Sequence, residues 1–365
     1  MAKVSLKRLQ KGKTGEKGSR DKFITLLLVV AVYGIVQLLV KTGHVSSLIQ
    51  GLLVPMCVYS LVAIGLNLCV GFLGELSLGH AGFMCVGAFT GAFVSKVLRD
   101  SIGNDLVLFL VALLAGVAMA ALFGFLIAIP VLRLKGDYLA IVTLAFGEII
   151  KNIINVLYIA KDSNGYHAAF SDAKSMQLDE ESTVWLINGA KGINRIANLS
   201  NFTIGIVLIL LALIIVYNLV DSRSGRAIMA IRDNRIAAES VGLPITQYKL
   251  MTFTLSAAIA GAGGVLYAHN LSTVTATPTN FGYNMSILIL VFVVLGGIGS
   301  LRGSMIAAVL LTLLPEVLRG MKDYRMLIYS IVLIAMMLFN WAPKSIAFRK
   351  QLAAKWKKQK TQEEA

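Results

Sequence analysis

The sequence predicts an all-α polytopic membrane protein with about ten transmembrane helices, some of them broken, and with the N- and C-termini cytoplasmic. Of its 365 residues, 57% are hydrophobic and 15% are charged, whereas a soluble domain has about 25% charged residues. The mean hydropathy is +0.76. The apolar residues also lie in runs of the length that a bilayer requires, about 20 residues each. These three observations exclude a water-soluble globular protein.

Ten apolar segments make up the predicted fold. The first is closed by Lys22 and Lys41, is long for a signal-peptide core and is followed by no cleavage site, so we interpret it as a retained span. The uncharged run 42–74 is too long for one upright helix, and the run 250–301 must hold two spans around a polar connection. The predicted spans are 23–40, 48–68, 76–95, 106–132, 138–159, 202–220, 250–268, 284–301, 303–320 and 326–342.

Charges outside the spans predict the orientation. Most of the net charge of +15 lies near the two ends of the chain, and basic flanks of apolar segments stay in the cytoplasm. The basic loop 221–249 is then cytoplasmic, and the loop 160–201 is extracytoplasmic. We therefore expect a basic cytoplasmic segment 1–22, a transmembrane domain 23–342, and a basic tail 343–365 that contacts anionic lipid. This distribution argues against a nucleic acid partner.

Residues that could carry catalysis or hold a metal are scattered along the sequence. The three cysteines lie inside apolar stretches, as small buried side chains do, and the four histidines have no metal-ligand spacing. Gly12-Lys13-Thr14 is similar to the end of a phosphate-binding loop, but Lys7 stands where that loop needs its first glycine. We therefore predict no catalytic residue, no metal site and no ATP bound by this chain.

Several separated sequence blocks carry a resemblance to a known family. They read GLNLCVGFLGELSLGHAGF at 65–83, RLKGDYLAIVTLAFGEI at 133–149, GRAIMAIRDNRIAAESVG at 225–242 and LGGIGSLRG at 295–303. In this order they resemble the permease subunits of bacterial ABC importers for branched-chain amino acids, in particular the larger, M-type subunit. The resemblance implies a second, different permease subunit, two ABC ATPase subunits that bind ATP and Mg²⁺, and an extracytoplasmic binding protein as partners.

The resemblance also implies that the cytoplasmic loop contains the helix that couples the permease to an ATPase. The pattern of residues fits a short rigid helix, because Ala237 and Ala238 keep it thin enough to enter a groove and Gly242 followed by Pro244 ends it. The alternative is an ordinary amphipathic loop helix. Ile236 stands where the general importer pattern has glutamate. The predicted coupling residues are Arg235, Ile236, Ala237, Ala238, Glu239 and Gly242.

Polar residues beside the predicted helix breaks are candidates for the translocation path or its gate. A charged group inside a bilayer is costly unless it faces protein or water, so these residues either line the path, stabilise a broken helix or cap it at the membrane interface. Glu148 and Lys151 lie three residues apart on one helix face, which fits either a structural ion pair or subunit contact, or a gate. The candidates are Asn67, Glu75, Ser77, His80, Glu148, Lys151, Gly297 and Ser300.

Other functions remain open at this point. A secondary transporter or channel would also use broken helices, but it has no need of a coupling loop. A membrane enzyme would need clustered metal ligands or paired carboxylates. Within the importers, the substrate could be another amino acid or a ribose-like sugar. The polar stretch that follows 162–166 is a candidate docking site for a binding protein. Residues 162–166 themselves stand where the family often has a Gly-Gly turn.

Overall fold

The computed structural model describes residues 2–43, 46–131, 134, 136–162, 165–170 and 183–341. The predicted tail 343–365 lies outside these residues, as do parts of the loop 160–201. Most of the described chain is helical. The helices are α1 (Ala2–Lys41), α2 (Ser47–Asn67), α3 (His80–Leu98), α4 (Asp105–Val131), α5 (Asp137–Val156), α6 (Phe202–Asp221), α7 (Arg223–Asp233), α8 (Arg235–Ser240), α9 (Ile245–Asn270), α10 (Pro278–Phe281), α11 (Tyr283–Gly296), α12 (Leu301–Val317) and α13 (Arg325–Trp341).

Nine segments of the described chain are long and apolar enough to cross a membrane, and each overlaps one of the first nine predicted spans, with several bounds shifted by a few residues. The tenth predicted span, 326–342, is helical as α13, whose 17 residues lie at the lower limit for a spanning helix. The all-α polytopic fold class is therefore confirmed. The qualifying segments are Lys22–Lys41, Ser47–Leu73, His80–Leu98, Asp105–Val131, Tyr138–Val156, Phe202–Asp221, Ile245–Asn270, Pro278–Gly296 and Leu301–Gly320.

The chain divides into two compact units, 1–309 and 310–365. The second unit contains the last part of α12, a 3₁₀ helix Leu318–Tyr324 and α13. Within it, Arg319 forms an ion pair with Glu316 one helical turn earlier. All of the site residues discussed below lie in the first unit.

Helix α9 lies at the centre of the first unit, where it packs against α2, α3 and α4. Small residues make this packing close: a Cβ atom at Gly87 of α3 would overlap the carbonyl oxygen of Gly261 in α9, and a Cβ at Gly261 would overlap Ala120 of α4. Because lipid provides no hydrophobic driving force between helices, such backbone contact is a main source of their association. The three helices α3, α4 and α9 therefore form one tightly packed core.

The second span ends in an irregular segment, within the uncharged run 42–74 that is too long for one upright helix. Helix α2 continues into a π-helix, Leu68–Leu73, which ends at Gly74 with a φ of 78°. Residues 74–79 then belong to neither a helix nor a strand, and α3 begins only at His80. The prediction that the third span begins at residue 76 is therefore wrong. This irregular segment 74–79 is held instead by α5, whose Thr143 hydroxyl accepts a hydrogen bond from the backbone N–H of Leu78 at 3.0 Å.

Strands replace helix and loop after α5. The helix ends at Val156, three residues before the predicted limit, because β-forming residues such as Tyr158 and Ile159 follow it. An antiparallel sheet of order β2-β1-β3 and a two-stranded pair β4-β5 result, neither of which the sequence analysis predicts. The strands are β1 (Leu157–Asp162), β2 (Gly165–Phe170), β3 (Val184–Asn188), β4 (Ile193–Asn194) and β5 (Thr273–Val274).

Contacts between span ends agree with the prediction that successive spans cross the membrane in alternating directions. Lys22, at the start of the first span, forms an ion pair with Asp221, at the end of the sixth. At the other face, β4 follows the fifth span and pairs with β5, which follows the seventh. The loop 221–249 and the described residues of the loop 160–201 therefore lie at opposite ends of the helices.

Candidate functional site

The predicted coupling segment forms a short helix between two polar turns. The side-chain oxygen of Asn234 accepts a hydrogen bond from the N–H of Ala237 at 3.1 Å, so that Asn234 caps the start of α8. At the other end Gly242 has a φ of 81°, and the N–H of Leu243 donates to the carbonyl of Ala238 at 3.1 Å. A left-handed glycine just after a helix is a common stop signal. The predicted helix and its glycine end are confirmed.

The two faces of α8 have different surroundings. Ala238 is only 3% exposed and packs against Ile231 and Ile245 of its own chain. Ala238 therefore faces its own loop rather than the outer surface of α8, and entry of this helix into a partner's groove stays a prediction. On the outer side, Ile236 is 80% exposed and Val241 is 75% exposed. The remaining predicted coupling residues are exposed or half-buried: Arg235, Ala237, Glu239 and Gly242.

Asn67 connects the break after α2 to the turn before α12. Its side-chain amide donates to the hydroxyl of Ser304 at 2.7 Å, and its oxygen accepts a hydrogen bond from the N–H of Gly299 at 2.9 Å. Gly71, in the π-helix, lies so close to this turn that a Cβ atom would approach the nitrogen of Gly299 to 2.5 Å. The structure thus brings Asn67 together with the predicted 297–300 segment.

The same turn borders a cavity. Gly297 and Gly299 both have positive φ angles, 99° and 82°, and the Ser300 hydroxyl accepts a hydrogen bond from the N–H of Gly303 at the start of α12. Gly299 and Ser300 line a cavity of about 400 Å³ together with Lys22 and other residues at the ends of the spans. Of the two predicted path residues in this turn, Ser300 lines this cavity.

The Glu75, Ser77 and His80 side chains are held by α9. Glu75 forms an ion pair with Lys249, and both side chains are largely buried. The ring of buried His80 is hydrogen-bonded through Nδ1 to Ser77 at 3.2 Å and through Nε2 to Ser256 at 2.7 Å. Ser77 and His80 are therefore buried in protein, and these polar groups connect the irregular segment 74–79 to α3 and to the central helix α9.

Two of these partners, Lys249 and Ser256, are not predicted from the sequence. The sequence places Lys249 in the cytoplasmic loop 221–249, but α9 begins at Ile245, after Pro244, and Lys249 is 4% exposed within the helix. The sequence feature that could have indicated the burial of Lys249 is its position as the last charged residue before the uncharged run 250–301. Ser256 gives no signal in the sequence, because a serine in a small-residue helix is ordinary.

Glu148 and Lys151 form the predicted ion pair on α5. Lys151 is buried, while Glu148 is partly exposed and also accepts a hydrogen bond from the backbone N–H of Tyr283 at 2.8 Å. That N–H belongs to the first turn of α11, where helical amides have no partner within the helix. The pair therefore connects α5 to α11.

At the opposite end of the helices, the strands surround two cavities of about 380 and 300 Å³. Lys96 of α3 lines both, and its ammonium group donates to the carbonyls of Trp185 at 2.7 Å and Asn194 at 2.9 Å. Arg195, which lines the larger cavity, has a φ of 57°, an uncommon conformation for a residue with a side chain. None of these residues is predicted from the sequence to belong to a site.

A core of membrane-spanning helices, a polar break inside it and a short apolar-tipped helix on a loop outside it define the protein as a multi-pass membrane permease. The chain belongs to the family described as branched-chain amino acid transport system / permease component, whose model matches residues 48–340. The family expectation from the sequence blocks is thereby confirmed.

Two relatives carry the same name, high-affinity branched-chain amino acid transport system permease protein LivM. The protein from Salmonella typhimurium is 34% identical over 340 residues, which cover 91% of this chain and 76% of the relative. That from Escherichia coli is 34% identical over 343 residues with the same coverage. The permease protein LivH of the same system in Salmonella typhimurium is 22% identical over 258 residues, 69% of this chain and 79% of LivH. No solved structure matches the chain.

Proposed function

We propose that this chain is one of two different permease subunits of an ATP-driven importer that moves branched-chain amino acids across the bacterial inner membrane into the cytoplasm. Two separate ATPase subunits bind ATP and Mg²⁺, and an extracytoplasmic binding protein delivers the amino acid. The names of the LivM relatives support the substrate class. The weaker similarity to LivH, named for the same system, supports a second permease.

The observation that carries the proposal is the exposed apolar tip of α8, formed by Ile236 and Val241. Lipid cannot cover these side chains, because the loop lies beyond the ends of the spans at Asp221 and Ile245. Burial of one such side chain in a partner contributes about 1.5–3 kcal/mol. A helix capped at both ends and packed through Ala238 onto its own loop presents this tip rigidly. An ATPase groove on the cytoplasmic side would use such a surface.

The experiment is co-purification of the ATPase subunit with Ile236→Asp and with a matched control, Val184→Asp. Val184 is also an exposed apolar residue, 54% exposed, but it lies on β3 at the opposite end of the helices. We expect Ile236→Asp to lose the ATPase subunit and leucine uptake at unchanged membrane abundance, and Val184→Asp to keep the ATPase subunit. Retention of the ATPase by both variants would contradict the coupling role.

The alternative of a secondary transporter is tested in the same cells. Uptake of radiolabelled leucine that persists after deletion of the ATPase gene would favour it over an importer. Uptake of leucine and of ribose, measured in parallel, decides the substrate class. Cells with a permease for ribose-like sugars would accumulate ribose and not leucine.

A further inference from the structure

The π-helix after α2 leaves a backbone carbonyl that its own helix does not use. The carbonyls of the last turn of a helix have no partner within it, and Gly71 lies in the last turn of the segment Leu68–Leu73. The guanidinium group of Arg232 donates a hydrogen bond from Nη1 to this carbonyl oxygen at 2.9 Å. Arg232 belongs to α7, in the loop outside the bilayer. One side chain thus connects the loop to the break in the second span.

The position of Arg232 is fixed by two further contacts. Asp233 accepts hydrogen bonds from Nε at 3.0 Å and from Nη2 at 2.9 Å through one carboxylate oxygen. The stem of Arg232 lies against Gly74, where a Cβ atom would come within 2.5 Å of Cγ. Only a guanidinium group offers donors in the planar arrangement that serves a carboxylate and a carbonyl together, whereas lysine acts as a single point charge.

Movement of α8 would reach Arg232 directly. Ile231, the preceding residue, packs against Ala238 on the inner face of α8 and against Ile245 at the start of α9. Helices α7 and α8 are separated only by Asn234, which caps α8. A displacement of α8 therefore carries the end of α7 with it.

The break transmits such a movement further into the bundle. Gly71 lies in close backbone contact with Gly299, and Asn67, one turn earlier, holds the N–H of that same glycine. Since packed interfaces of this kind shift between discrete arrangements rather than deform continuously, a pull on the Gly71 carbonyl would change the contact between the break and the 297–300 turn.

On the basis of the proposed function, we infer that Arg232 is a positioning residue that transmits movement of the coupling helix to the π-helix break. It binds neither ATP nor the transported amino acid. Arg232 links the position of the break to the position of α8, so that docking and release of the ATPase subunits shift the membrane-embedded helix. Loss of this contact should uncouple transport from ATP hydrolysis without separating the subunits.

The test uses the complete importer in proteoliposomes and measures leucine uptake per ATP hydrolysed. We expect Arg232→Met to keep the ATPase subunits but to lower this ratio about tenfold, equivalent to about 1.4 kcal/mol, the scale of one charge-assisted hydrogen bond. Arg232→Lys should fall between Arg232→Met and the unchanged protein. Arg223→Met, the same change at an exposed position of α7, should leave the ratio unchanged.

A second measurement follows the break itself. Cys69 is buried in the π-helix, and with Cys57→Ala and Cys85→Ala it is the only thiol of this chain. We expect its rate of maleimide labelling to differ between the nucleotide-free and ATP-bound importer, and this difference to disappear in Arg232→Met.

The inference is overturned if Arg232→Met and Arg223→Met have the same uptake per ATP, or if Arg232→Met sheds the ATPase subunits. It is also overturned if ATP changes Cys69 labelling equally with and without Arg232, or leaves it unchanged in both. Failure of the proposed function has a different signature, since the unsubstituted chain would then show no ATP-dependent leucine uptake.

Discussion

The buried ion pair between Glu75 and Lys249 gives the sharpest stability prediction. Both side chains are largely buried, and the second carboxylate oxygen of Glu75 has no hydrogen-bond partner among the described residues. Lys249→Met would leave this carboxylate buried without its counter-charge. Removal of one partner of such a pair costs about 3–5 kcal/mol, whereas replacement of both partners by uncharged residues is often nearly neutral.

The measurement is thermal unfolding of the detergent-solubilised permease for Lys249→Met, for Glu75→Gln and for the double variant. At about 2–3 °C per kcal/mol for a domain of this size, we expect Lys249→Met to lower Tm by roughly 10 °C. The double variant should recover most of this loss. Lys191→Met, at an exposed lysine on the 3₁₀ helix Gly189–Lys191, controls for loss of a positive charge. If the effects of the two single substitutions simply add in the double variant, the two groups do not act as a pair and the reasoning is refuted.

Three further predictions follow from other parts of the chain. Glu148→Gln should reduce leucine uptake more than the double change with Lys151→Met, because the single change strands a buried ammonium group; additive effects in the uptake assay would favour a gate instead. Gly242→Val should abolish uptake at normal membrane abundance, since a β-branched residue at a φ of 81° costs upwards of about 1–2 kcal/mol; full uptake by this variant would contradict the need for that turn. Deletion of residues 344–365 should leave leucine-stimulated ATP hydrolysis intact, as expected for a lipid-contacting tail, whereas loss of complex assembly in pull-downs would identify a docking element.

The transmembrane organisation could be predicted because charge and apolar run length are local properties of the sequence. Lys22 and Lys41 mark the limits of the apolar part of α1, although the helix itself begins at Ala2. The break after α2 was also predictable, since Gly71 and Gly74 remove side chains where the backbone must turn. Gly242 marked the end of α8 for the same reason.

The errors arise where a residue's surroundings depend on distant parts of the chain. Ala238 looks like any small residue of an exposed helix, and only the positions of Ile231 and Ile245 turn it inward. Lys249 looks like a loop cation until Glu75, far away in the sequence, lies beside it. The sequence predicts the end of a helix at residues 157–159, the first half of β1, because these apolar residues continue the apolar run of α5.

The close packing of α3, α4 and α9 also limits where a solute can cross the membrane. Where the backbone of Gly87 touches that of Gly261, and Gly261 touches Ala120, there is no lumen between the helices. A leucine molecule passing there would have to separate three helices that have no flexible side chains to rotate aside at these contacts. Under the proposed function, the conduit therefore runs beside this core, along a wall that a neighbouring permease completes.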